Sequence, residues 1–270
     1  MQLAFLTILF GIAWFCFGAI IGSFLNVVAL RYNTGRTLEG RSSCFSCGHT
    51  LGVLDLIPIF SFFLSSGRCR YCGSTFSWQY PLGEGITGLL FLGVFFLHVP
   101  LSESVLLLLA LSLLMVIGIY DLRHKIIPDG LAYAFIGLSG IFLIADFHAL
   151  SLHVPGIWDV LAGPLLFAPF FTLWFVSKGR WIGLGDGKLS FGIGWMLGLS
   201  GGIAAVLMAF WIGAAVSLLV LLAQSRLFQR RARLTIKSEI PFAPFLIIGF
   251  LIALFFDVTF VSLSSFFIFP

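Results

Sequence analysis

The sequence predicts an all-α polytopic membrane fold of about eight spanning helices with one small cytoplasmic insertion. Three observations carry that expectation. Hydrophobic residues make up 60% of the 270, and charged residues only 10%, against about 25% in an ordinary soluble domain. The apolar residues gather into runs long enough to cross a bilayer, instead of recurring at amphipathic spacing, and mean hydropathy is +1.10. All 15 Lys and Arg fall in, or in the case of Lys188 just beyond, alternate connections between those runs. A water-soluble globule is therefore excluded. The net charge of +4 is an orientation signal and not a nucleic-acid surface.

The runs lie near residues 3–30, 84–99, 103–120, 130–146, 159–177, 187–200, 202–224 and 242–257. The first lacks a basic n-region and continues into further apolar sequence, so it reads as a retained helix. The sixth is short and Gly-rich, and its status decides the topology. With eight spans, residues 31–83, 121–129, 178–186 and 225–241 share one side and, with Lys188 just beyond the third, account for every basic residue. Basic residues near span ends stay cytoplasmic, which puts both termini outside. The implied organisation is a first helix at 1–30, a cytoplasmic module at 31–83 and a multi-helix membrane domain at 84–270.

Within 31–83, Cys44-X-X-Cys47 and Cys69-X-X-Cys72 form two knuckles, each followed by glycine (Gly48 and Gly73). Each tight turn lets two thiolates converge, and two turns supply the four soft ligands of a closed, tetrahedral structural zinc site. A disulfide reading is disfavoured by a reducing cytoplasm. The expected module is a small zinc-ribbon-like insertion, with His49 on its surface and Cys16 in core packing.

Five acidic residues fall where a run meets its cytoplasmic end: Glu84, Asp121, Asp129, Asp186 and Glu239. Ionisable groups at membrane depth are costly and mark function. Asp121 closes the third run, and Asp186 opens the sixth inside Gly183-Leu184-Gly185-Asp186-Gly187-Lys188. The topology gives them one depth. Two carboxylates that close can share a proton and act as acid and base in water attack on a peptide. Helix polarity suggests Asp186 as base and Asp121 as acid.

At these residues the chain resembles the prepilin peptidase family, the type 4 leader peptidases and N-methyltransferases of pilus assembly and type II secretion. The likeness rests on Gly22-Ser23-Phe24-Leu25-Asn26-Val27-Val28, the cysteine knuckles, Tyr80-Pro81 with Glu84, and Asp121-Leu122 with Ile127-Pro128-Asp129. It continues through the 183–188 stretch and Ser238-Glu239-Ile240-Pro241-Phe242-Ala243-Pro244-Phe245. It implies an aspartyl endopeptidase of the bacterial inner membrane that removes the basic leader of prepilins and pseudopilins at the cytoplasmic face. Asp121 and Asp186 would be its catalytic pair, with Gly183, Gly185, Lys188, Asp129, Glu84 and Glu239 in support. It also implies methylation of the new N-terminus from S-adenosylmethionine, for which no glycine-rich dinucleotide-type loop is found. Ala243 stands where the family commonly has glycine.

Two other readings rank lower. The presenilin and signal peptide peptidase group shares the tetrad, but its Pro-Ala-Leu signature is missing, since residues 241–245 read PFAPF. An ion-coupled transporter would carry midplane carboxylates between inverted repeats, and neither is found. The Gly18–Gly22 spacing suits helix packing within the chain better than a dimer face, and the sequence does not define an oligomeric state.

Overall fold

The computed structural model describes residues 2–35, 37, 40–147, 149, 151–227 and 241–268. Their helices are α1 (Gln2–Arg31), α2 (Phe60–Leu64), α3 (Gln79–Phe96), α4 (Leu101–His124), α5 (Asp129–Ile144), α6 (Ile157–Ser177), α7 (Leu184–Leu227), α8 (Ala243–Phe256) and α9 (Phe260–Ile268). A two-residue antiparallel ladder, β1 (Ala145–Asp146) with β2 (Ser151–Leu152), follows α5. Four helical runs are long and apolar enough to cross a membrane: Ala4–Arg31, Leu101–His124, Ile157–Ser177 and Leu184–Leu222. Asp129–Ile144 and Ala243–Phe256 are shorter apolar helices.

The chain forms two compact units, Met1–Ile119 and Tyr120–Pro270. This differs from the sequence boundary at 83/84, and α3 is the reason: it packs along α1 and so joins the first unit. Small residues let the two backbones approach. A Cβ on Gly18 would lie 2.7 Å from Phe91 Cβ, and one on Gly22 2.9 Å from the Glu84 Cα. Gly18 and Gly22 thus serve packing inside the chain. Asn26, fully buried, donates from Nδ2 to the Tyr80 carbonyl at 3.2 Å. The opposite face of α1, with Phe5, Ile8, Ile12 and Ile20, is exposed, as a lipid-facing surface should be.

In the second unit α7 is the hub, packing on α5, α6 and α8. Its 44 residues contain a non-helical Gly198 at φ 68° and ψ 179°. A straight rod of that length would span about 66 Å, twice a bilayer core. The contacts exclude a rod. Phe170 packs on both Gly187 and Phe210, and a Cβ on Gly202 would meet the Gly194 Cα at 3.4 Å. Residues equidistant from Gly198 therefore face each other, and α7 is a hairpin of two antiparallel helical arms. The sequence breaks these two runs at residue 201, close to the observed reversal. With α7 divided, each of the eight apolar runs corresponds to one helical segment.

Candidate active site and metal centre

Asp121 occupies the last turn of α4 and Asp186 the first turn of α7, which are the helix ends expected from the sequence. Both are buried, at 4% and 8% exposure, and they lie near enough that the Asp121 charge acts on Asp186. Each carboxylate is tethered by a backbone donor. The Ala243 N–H at the start of α8 donates to Asp121 Oδ2 at 3.2 Å, and Gly183 supplies the backbone hydrogen bond to Asp186. A helix leaves its first four N–H groups without intrahelical partners, so the α8 terminus has a donor to give. Ala243 is fully buried at negative φ, and alanine replaces glycine there without backbone strain.

The glycines around Asp186 have a packing reason. A Cβ on Gly185 would fall 2.8 Å from Ile127 Cβ, closer than real Cβ contacts allow. Lys188 reaches across to α5, where its Nζ bonds Asp129 Oδ1 at 2.5 Å and sits 4.6 Å from the Tyr133 ring centroid. The lysine side chain is mostly buried and that of Asp129 is 70% exposed, so the link ties the Asp186 turn to the start of α5. Sequence reasoning singled out both residues and missed their pairing. The Ala243 donor left no sequence signal, because a backbone N–H has no side-chain signature.

Glu84 belongs to the first unit, is 7% exposed, and accepts the Ile59 N–H on its Oε2 at 2.7 Å. Glu239 lies outside the described residues, as does most of the last basic connection.

The four cysteines converge as their spacing requires. Their Sγ atoms all lie within 4.8 Å of one another, and among the described residues no histidine or carboxylate joins the group. The two knuckles repeat one geometry. Cys44 N–H donates to the His49 carbonyl and Gly48 N–H to the Cys44 carbonyl, each at 2.9 Å, and Cys69, Ser74 and Gly73 repeat the pattern at 2.8 and 2.9 Å. Gly48 and Gly73 both adopt φ 71°, the left-handed conformation that glycine enters at least cost. Cys44 and Cys72 Sγ are 3.8 Å apart, against about 3.8 Å for one edge of a tetrahedron with metal–sulfur bonds near 2.3 Å. The Ser74 hydroxyl lies 3.5 Å from Cys44 Sγ and 3.1 Å from Cys72 Sγ. It holds both thiols below their ordinary range, Cys44 at about 6. The donor set therefore suits a soft divalent metal. His49 instead stacks on Tyr71, with centroids 3.5 Å apart.

Fold and site define a polytopic helical membrane protein with a buried carboxylate pair and a four-cysteine cluster. Residues 16–98 match the bacterial peptidase A24 N-terminal domain, and residues 106–218 match the type IV leader peptidase family. The chain belongs to that family. It is 31% identical to a Bacillus subtilis protein named prepilin leader peptidase/N-methyltransferase, over 88% of this chain and 91% of that one. A Burkholderia pseudomallei protein of the same name is 30% identical, with 96% and 87% covered. A Myxococcus xanthus protein so named is 34% identical over 81% of this chain, which spans 65% of that relative's length. No solved structure matches the chain.

Proposed function

We propose that this protein is an intramembrane aspartyl endopeptidase of the bacterial inner membrane. It removes the basic leader of type IV prepilins and pseudopilins at the cytoplasmic face and methylates the new N-terminus, using S-adenosylmethionine. The reaction pair rests on the names its relatives carry. The observation that carries the protease is the buried pairing of Asp121 and Asp186 at two helix ends.

Two carboxyls that face each other across a scissile bond hold one proton between them. The ionised carboxylate takes a proton from a water whose oxygen attacks the scissile carbonyl carbon, while the protonated carboxyl gives its proton to the carbonyl oxygen. The tetrahedral diol then collapses, the C–N bond breaks, and the departing amine recovers a proton from the pair. Ala243 and Gly183 keep the two carboxyls oriented through both steps. The Lys188–Asp129 link holds the Asp186 turn.

All eight helical segments cross the bilayer in this reading, with both termini outside. The cysteines Cys44, Cys47, Cys69 and Cys72 hold zinc. A metal closed by four thiolates keeps no open coordination position, so it supplies folding energy and no catalysis.

The test is cleavage of a prepilin by purified protein with Asp121→Asn or Asp186→Asn. Each variant should lose cleavage and keep wild-type membrane insertion and zinc content. Full cleavage by either would end the mechanism.

A further inference from the structure

Helix α2 has five residues and two faces. Phe60, Phe63 and Leu64, spaced i, i+3 and i+4, share one of them, and the Phe63 ring meets Trp78 edge-on with centroids 6.1 Å apart. These four side chains are 60–72% exposed. Ser61, Phe62 and Ser65 turn the other way, into a cleft that they share with Ser23, Tyr80 and Glu84. A contiguous apolar patch outside the spanning runs marks an interaction surface.

The fold fixes the depth of that patch. A Cβ on Gly18 would meet Phe91 and one on Gly22 the Glu84 Cα, so α1 and α3 run antiparallel and Glu84 is level with Gly22. From that level α1 continues for nine residues to Arg31, about 14 Å of helix. The Glu84 carboxylate accepts hydrogen bonds from the Ser23 hydroxyl and, at 2.7 Å, from the Ile59 N–H. A glutamate side chain and one hydrogen bond span far less than the distance to Arg31. Ile59, the residue just before α2, is therefore drawn in past the end of α1. It is held there at φ 64°, a conformation that β-branched residues rarely adopt. Trp78 stands at the N-cap of α3, so α2 lies beside the start of that helix. With 18 residues, about 27 Å, α3 needs its whole length to cross a hydrocarbon core of about 30 Å. Its start is then the edge of the core.

Depth and chemistry together choose the occupant. Aromatic and leucine side chains at this level meet the boundary between headgroups and acyl chains, where Trp, Phe and Leu are favoured. We infer that α2 and Trp78 form an interfacial anchor that seats the cysteine module on the phospholipids of the cytoplasmic leaflet, with Glu84 as the latch that sets its depth. The inference rests on the reading above in which α1 and α3 span the bilayer.

The experiment reconstitutes the full-length, metal-loaded protein into phosphatidylethanolamine–phosphatidylglycerol vesicles doped with a phospholipid whose diazirine lies near the glycerol end of an acyl chain. After irradiation, labelled residues are mapped by mass spectrometry. Label should fall on residues 60–64 and Trp78 as well as on the exposed residues of α1. Glu84→Ala, which removes the acceptor, should cut the label on 60–64 several-fold while α1 label and metal content stay at wild-type levels. Glu84→Gln, which keeps an acceptor oxygen, should restore it. Label on α1 with none on 60–64 or Trp78 would overturn the inference, as would unchanged labelling of 60–64 in Glu84→Ala protein. Residues 60–64 that take no lipid label and crosslink instead to an added prepilin would make this face a substrate surface and not an anchor. Absence of label on α1 as well would overturn the spanning reading itself.

Discussion

At the scale of single residues, the pattern of what the sequence discloses follows from how local each contact is. The cysteine cluster is legible because two residues between paired thiols is a property of one turn. Asp121 and Asp186 are legible only after the spans are counted, since 64 residues of chain lie between the two aspartates, one in the last turn of α4 and the other in the first turn of α7. The Ala243 donor is hidden for the opposite reason, being a backbone group 122 positions from its acceptor. It also complicates the division of roles expected from helix polarity, because Asp121 closes α4 and at the same time meets the start of α8. Lys188 permits a graded prediction. Its partner Asp129 is largely exposed while the lysine is mostly buried, so water can take the carboxylate's place at the ammonium when Asp129 is neutralised. Asp129→Asn should thus slow cleavage only by a few-fold, whereas Asp186→Asn should abolish it. Equal loss in the two variants, measured as initial rates on one prepilin, would give Asp129 a direct part in the chemistry.

At the scale of elements, the α7 hairpin turns on one glycine. Gly198 combines φ 68° with ψ 179°, a region essentially reserved for glycine and costing about 1–3 kcal/mol for other residues. A Cβ there would touch nothing within 4 Å, so Gly198→Ala isolates backbone strain from crowding. The variant should lose about 1–3 kcal/mol in denaturant unfolding; wild-type stability would mean that the reversal does not depend on this conformation. The cysteine module makes a second case. Its flanks expose Phe45, Val53, Leu54 and Tyr71, so little apolar burial holds the knuckles together, and the proposed zinc would supply that folding energy. Chelation, or Cys44→Ser, should make residues 42–76 protease-sensitive while fragments of the second unit stay protected. Unchanged digestion after complete zinc loss would show that backbone hydrogen bonds alone suffice.

At the scale of the whole molecule, the basic residues mark alternate helix ends: Arg31 closes α1, Arg123 closes α4, Lys178 caps α6 and Arg226 ends the second arm of α7. In the proposed topology those ends are the cytoplasmic ones, but the charge pattern does not say how thick a bilayer the protein requires. The helix lengths do. α5 has 16 residues and α8 has 14, which makes them about 24 and 21 Å long, and the first arm of α7 stops at Gly198 after a similar rise. All three pack together in the second unit, the one that holds Asp121 and Asp186. A hydrocarbon core of about 30 Å exceeds each of them, and mismatch costs fractions of a kcal/mol per Å, summed here over three neighbouring helices. The bilayer should therefore thin around this unit, which brings the cytoplasmic interface, with its water and the basic leader, closer to the buried aspartates. Reconstitution into phosphatidylcholine vesicles of graded acyl length tests this. Cleavage and thermal stability should both peak in bilayers thinner than average and decline as the chains lengthen, with Asp121→Asn protein showing the same stability trend. Activity that is flat across the series, or that rises toward the thickest bilayer, would mean that the short helices do not span the core in the proposed way.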